Sequence, residues 1–230
     1  MTARQRADGE VGPGALSRGA AAVYRCLVLE LLLVGTTLPT AVLLVLLDRS
    51  ASNVLLYAVA LLPVGPALVA GLAAVRAWEL EPDLSPARGF WRAYRRDAVG
   101  TLAWWAPLLA ALSMLAIDLL HADLVPGGTA LRPVTALLAV LLVLLGGHLA
   151  VLQARFALRL RDAVRIALVQ LVPQWRFSLG VLSLLLVAAA VTAVSFDVVT
   201  AGLAWAAVLL AHLMSRPLVL DVTERFTRHA

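Results

Sequence analysis

Two ionisable side chains lie inside long apolar runs of the sequence. Glu30 follows Arg25 by five positions, roughly 7 Å along a helix. His148 precedes Arg155 by seven positions, roughly 10 Å. A carboxylate and an imidazole within a membrane span are typical of proton relays and substrate sites. If the first and fourth apolar helices touch, Glu30 and His148 predict a polar cluster at the base of an inward-facing cavity. The structural alternatives are pairing of Glu30 with a basic group and a hydrogen bond from His148 to a neighbouring helix.

Helix-breaking motifs occur in the first two apolar runs. The first run contains Thr36-Thr37-Leu38-Pro39-Thr40, and the second contains Pro63-Val64-Gly65-Pro66. Proline frees a carbonyl and kinks a helix, and threonine hydroxyls can bond the freed groups. Paired breaks build midplane sites in some transporters, although they also let inert bundles bend. The candidate intramembrane polar site therefore comprises Glu30, Thr36, Thr37, Pro39, Gly65, Pro66 and His148.

The sequence carries no motif that predicts catalysis. His/Cys metal spacings, a nucleophile elbow, a phosphate-binding loop and a dinucleotide fingerprint are all absent. The single cysteine, Cys26, excludes an internal disulfide. We therefore expect neither an enzyme nor a cofactor-binding protein, with a membrane-embedded enzyme as a distant third alternative.

Composition places the chain in the membrane class. It is 62% hydrophobic and 14% charged, with a mean hydropathy of +0.91, whereas soluble domains are about half apolar and a quarter charged. The net charge of +5 could suggest a nucleic-acid partner. However, every basic residue is Arg, and the arginines cluster between apolar runs, which is the pattern of a topology signal. An all-Arg chain rich in Ala, Leu and Val also suggests a bacterial source.

The spacing of charges predicts an all-α bundle of six transmembrane helices, because about twenty apolar residues cross a bilayer core. The predicted spans are 26–47, 54–75, 98–118, 133–154, 177–196 and 198–215. They form one domain over 20–218, between a disordered tail at 1–19 and a second cytoplasmic tail at 219–230. With both termini inside, 17 of the 19 arginines lie on the cytoplasmic side, and only Arg49 and Arg132 lie outside. The predicted location is the bacterial cytoplasmic membrane.

Two Arg-rich segments on the predicted inner side have helical spacing. Segments 86–97 and 155–171 are expected to be amphipathic helices on the membrane surface, facing anionic headgroups. Docking to a partner protein is the alternative use of these faces. The candidate lipid-headgroup or docking residues are Arg88, Arg92, Arg95, Arg96, Arg155, Arg159 and Arg165.

Several motifs lie within roughly residues 20 to 120: Tyr24-Arg25, Leu38-Pro39, the run 63–70 and the pattern at 85–96, which includes Ser85-Pro86 and Phe90-Trp91-Arg92. Together they resemble the YesL-like family of bacterial integral membrane proteins. Members of this family have no established biochemical function and are commonly encoded near sugar-uptake genes. The resemblance therefore implies an accessory or assembly partner of a carbohydrate transport system, bound to a transporter permease. An autonomous transporter or channel that uses broken helices one and two with Glu30 and His148 is the alternative.

Overall fold

The structure is a computed structural model that describes residues 15–48, 50–80, 86–124, 126–156, 158–194 and 204–226. Every regular element in these ranges is helical. The α-helices are α1 (Ala15–Leu46), α2 (Val54–Ala60), α3 (Val64–Leu80), α4 (Pro86–His121), α5 (Gly128–Arg155), α6 (Leu160–Gln170), α7 (Trp175–Val194), α8 (Ala204–Met214) and α9 (Arg216–Phe226). Short 3-10 turns precede α2 and follow α4.

Four helical segments in the described ranges are long and apolar enough to cross a membrane. They are Gly19–Leu46, Ala51–Trp78, Pro86–Leu124 and Gly128–Arg155. A fifth is reached if the bent pair α6 and α7 counts as one span. The prediction of an all-helical protein with several membrane-spanning helices is therefore confirmed in this coarser form. The predicted boundary between spans five and six, at 196–198, lies outside the described residues.

Helix α3 is at the centre of the bundle. It packs against α1, α4, α5 and α8, and 56% of its span is buried, against 22–28% for the other three. Its buried side chains are small at Ala67, Ala70 and Ala74. Small residues let helix backbones approach closely in lipid, where apolar burial alone does not drive helices together.

Helix α4 runs unbroken from Pro86 to His121. The predicted surface helix at 86–97 is therefore the first part of a long helix and not a separate element. The reason is a single buried seam that continues along both parts of the helix: Pro86, Phe90, Ala93, Thr101, Trp104 and Leu108. Successive positions lie three, four or eight residues apart, which keeps one face of α4 against its neighbours.

Helix α6 is a separate helix that meets α7 at a bend of 97°. It begins at Leu160, because α5 continues to Arg155, so the predicted helix at 155–171 is shorter than expected. Its buried side is Ala163, Ile166, Ala167 and Gln170. Arg159, Arg161 and Arg165 are exposed.

The predicted tails are partly helical. Helix α1 begins at Ala15, so the expected disorder at 1–19 is wrong for residues 15–19, and residues 1–14 lie outside the described ranges. Helix α9 covers 216–226, which includes most of the predicted C-terminal tail, and residues 227–230 are again outside. The apolar residue Leu218 is fully buried, which ties this amphipathic helix to the bundle.

Candidate functional site

The second span is interrupted by a turn at residues 61–63, between α2 and α3. Pro63 has no N–H, and the Val64 N–H bonds Leu61 O at 3.2 Å, so the carbonyl of Ala60 lacks its helical partner. Two other helices supply donors. Thr40 Oγ1 of α1 donates to Ala60 O at 2.6 Å, and Trp105 Nε1 of α4 donates to Leu61 O at 3.0 Å. The carbonyl groups at the interruption are therefore satisfied by side-chain hydrogen bonds from α1 and α4.

Gly65 makes room for the indole that closes this break. A Cβ on Gly65 would lie 2.6 Å from Trp105 Cγ and within 2.8 Å of two further ring atoms. The ring can donate to Leu61 O only because residue 65 has no side chain. Gly65 and Pro66, both proposed from sequence as site residues, are buried against neighbouring helices.

Helix α1 is not broken at Pro39. The helix continues from Ala15 to Leu46 through this proline, so the prediction of a broken first helix is wrong. Thr36 Oγ1 donates to Leu32 O at 2.7 Å, and Thr37 Oγ1 donates to Leu33 O at 2.8 Å. These bonds stay within the helix's own preceding turn. The threonine that reaches another helix is Thr40, which is buried.

The side chain of Glu30, a residue of α1, contacts the N-terminus of α8. The backbone N–H of Trp205, one residue after the helix starts at Ala204, donates to Glu30 Oε2 at 2.8 Å. The first N–H groups of a helix have no partner within it, and a carboxylate satisfies both the hydrogen bond and the helix dipole. Glu30 Oε1 has no hydrogen-bond partner among the described residues. The carboxylate therefore joins α1 to α8.

His148 is fully buried in α5. Its Nδ1 lies 3.0 Å from Leu144 O and donates to it, since a carbonyl can only accept. The imidazole packs edge-on against Phe177 of α7, with ring centroids 4.9 Å apart. Within the described ranges its Nε2 has no hydrogen-bond partner. The structure therefore does not join Glu30 and His148 by a hydrogen bond.

A cluster that the sequence analysis missed lies at the end of α5. Arg155 Nη2 donates to His212 Nδ1 at 3.2 Å and to Ser215 Oγ at 3.3 Å. The backbone carbonyl of Arg155 accepts a hydrogen bond from Arg76 Nη1 of α3. His212 and Ser215 are each 1% exposed. Arg155 was predicted to face headgroups or a partner, but its guanidinium group points into the bundle and joins α5 to α8.

Amide side chains make two further connections between helices that the sequence analysis did not find. Gln153 Oε1 accepts from Trp104 Nε1 at 2.5 Å, and its Nε2 donates to Asp97 O at 3.3 Å. Gln170 Nε2 donates to Asp221 Oδ2 of α9 at 2.6 Å. The available signal was an uncharged amide within an apolar or amphipathic helix, since such groups bond to neighbouring helices in membranes.

The Arg face of α4 is exposed. This face consists of Arg88, Arg92, Arg95 and Arg96. Arg96 makes a two-point ion pair with Asp97, at 2.9 Å to Oδ1 and 2.7 Å to Oδ2. On the turn beside the Arg face, Phe90, Trp91 and Tyr94 form a cluster with ring centroids 5.6–6.0 Å apart.

These helices give the chain the architecture of a multi-pass helical membrane protein. The part of the chain that the structure describes holds no group of three His, Cys, Asp or Glu side chains placed to bind a metal. No family model, curated protein or solved structure matches the chain.

Proposed function

We propose that the chain is an accessory or assembly subunit of a membrane transport system in a bacterial cytoplasmic membrane, with six spans and both termini inside. The Arg distribution supports this orientation, with 17 arginines inside and two outside. Helix α7 has 20 residues, enough for about 30 Å. Helix α8, an apolar helix of 11 residues, would belong to the sixth span. A role in carbohydrate uptake follows from the resemblance to YesL-like proteins.

The observation that carries the accessory role is the exposed Arg face on a rigid extension of a spanning helix. The four arginines share an unbroken helix with the span of α4, so they are held at a fixed height and direction. By contrast, Thr40, Trp105, Glu30 and Arg155 bond to other helices. The polar groups inside the bundle thus hold helices together, and the Arg face is available to a permease or to anionic headgroups.

Neutralising the Arg face is expected to abolish association with the transporter. We predict that tagged wild-type protein, purified in mild detergent, carries a permease in stoichiometric amount. The triple variant Arg92→Gln, Arg95→Gln, Arg96→Gln should lose it and remain monodisperse, because exposed arginines contribute little to folding. Mass spectrometry of the purified material gives the measurement.

The triple lysine variant at the same positions is the matched control. Lysine keeps the charge and loses the planar fork that binds carboxylates at two points. Loss of the permease in both variants indicates docking by arginine forks, and loss only in the glutamine variant indicates attraction by charge. Recovery of the wild-type chain alone, as a monomer or homo-oligomer, would contradict the accessory role.

An autonomous transporter is the second candidate function. It is favoured by the interrupted second span and by Glu30 Oε1, which has no partner within the described ranges. Helix ends and carboxylates inside a bundle are used by transporters to bind ions and substrates.

Substitutions at Glu30 separate the two functions. Glu30→Gln keeps an oxygen that can accept the Trp205 N–H, so we expect a folded protein whose accessory phenotype is intact. Glu30→Leu removes the acceptor and is expected to lower the free energy of unfolding by about 2 kcal/mol. Thermal unfolding in detergent and complementation of a deletion strain provide the readouts. A well-folded Glu30→Gln protein without activity would favour the transporter.

A further inference from the structure

The bundle contains a partly open apolar cavity of about 370 Å³. Five elements of the bundle line it: α3 with its preceding turn, α4, α5, α7 and α8. Among the described residues, the side chains that line it are hydrocarbon, apart from the sulfur of Met214 and the indole of Trp105, whose N–H is bonded to Leu61 O. Apolar cavities stay free of water and take up apolar molecules, and about 150 Å³ is enough for benzene. This cavity is more than twice that size.

The lining of the cavity extends along the helices. On α3 it runs from Val64 to Leu72, and on α7 from Phe177 to Leu185. Eight residues of helix correspond to about 12 Å. An apolar space that follows the spans over this length can take up an extended hydrocarbon chain.

The helices around the cavity are closely packed, so the space does not come from a loose bundle. A Cβ on Gly146 would lie 2.7 Å from Leu108 Cδ2, and one on Gly147 would lie 3.0 Å from Val181 Cγ1. On Gly180 it would collide with Met214. These glycines bring α4, α5, α7 and α8 into contact at the edges of the cavity and leave its interior open.

Arginine residues lie just beyond the lining residues at one end of the cavity. On α3, Leu72 is followed one turn later by Arg76, and on α5, Val151 is followed one turn later by Arg155. On α7, Phe177 is preceded directly by Arg176, whose side chain is exposed. Guanidinium groups bind phosphate at two points. Phosphate at this end and hydrocarbon in the cavity are the two parts of a phospholipid.

We propose that the cavity holds one acyl chain of a phospholipid, whose phosphate lies at the positively charged end of the cavity and pairs with the exposed Arg176. The bound lipid fills the space between α3, α4, α5, α7 and α8 and completes their packing. Protein interiors are otherwise packed without spaces of this size. The proposal does not depend on the transport role.

The test is retention of phosphatidylglycerol by the full chain, purified in detergent and measured by native mass spectrometry. Leu184, which lines the cavity, and the exposed Leu186 lie two positions apart on α7. Leu184→Trp should fill the cavity and reduce lipid retention about tenfold. The matched control Leu186→Trp should retain one lipid per chain, like wild type. Absence of lipid from wild type, or equal retention by the two variants, would overturn the proposal.

A second measurement does not require a variant that folds. Phosphatidylglycerol with a photoreactive group in its acyl chain is incorporated into vesicles with wild-type protein, illuminated, and traced to labelled peptides. We expect labels at Val151 and Phe177, which are each 2% exposed and which bulk lipid does not reach. Labels confined to the exposed outer faces would show that no acyl chain occupies the cavity.

Discussion

Replacing Arg155 with methionine is expected to lower the free energy of unfolding by about 2 to 3 kcal/mol, since hydrogen bonds from a charged group contribute this much. The guanidinium donates to His212 Nδ1 and Ser215 Oγ, both on buried side chains at the end of α8. Methionine has similar length and no donor. It would leave two polar groups without this partner in an apolar setting, where no water replaces it.

Arg159→Met is the matched control for this prediction. Arg159 lies four residues further along the chain and is exposed, so its loss should change stability by less than about 0.5 kcal/mol. Both variants are compared with wild type by thermal unfolding in the same detergent. Equal stability of the two variants would show that the Arg155 cluster contributes nothing to the bundle. The stability of Arg155→Lys should fall between those of Arg155→Met and Arg159→Met, because lysine keeps the charge but not the planar geometry of the guanidinium.

Gly65→Ala is expected to lower the free energy of unfolding by about 2 kcal/mol after the gain in helix propensity is subtracted. The added Cβ would lie within 2.8 Å of three atoms of the Trp105 indole, and a rigid ring cannot bend away as a flexible side chain can. Moving the ring also removes the hydrogen bond to Leu61 O. The carbonyl of Leu61, in the turn between α2 and α3, would then lose its donor from α4.

Gly35→Ala in α1 provides the comparison, because a Cβ at this position meets nothing within 4 Å. Alanine there should be neutral or stabilising by up to about 1 kcal/mol, since glycine is a poor helix former. A Trp105→Ala change combined with Gly65→Ala completes a double-mutant cycle. If the clash causes the loss, the two changes should be strongly non-additive. Additive effects would contradict the proposed contact.

The sequence by itself determined the class and the coarse architecture of this protein. Hydropathy and charge spacing are local properties, so they predicted the helices around 54–75 and 98–118 without knowledge of their neighbours. Pro63 correctly marked an interruption, because a proline without an N–H perturbs its own helix wherever it lies. The same reasoning failed at Pro39, where α1 continues. A proline lowers helix stability locally, but packing in the bundle decides whether the helix breaks.

Partners on different helices were decided only by the tertiary structure. The sequence identified Glu30 and His148 as unusual and proposed that they meet, whereas Glu30 bonds to the start of α8 and His148 packs on Phe177. Thr40 and Arg155 carry contacts between helices that no spacing rule indicated. The physical reason is that small residues on α3 set which helices approach and how closely. A polar side chain then bonds to whichever group this packing places within about 3 Å.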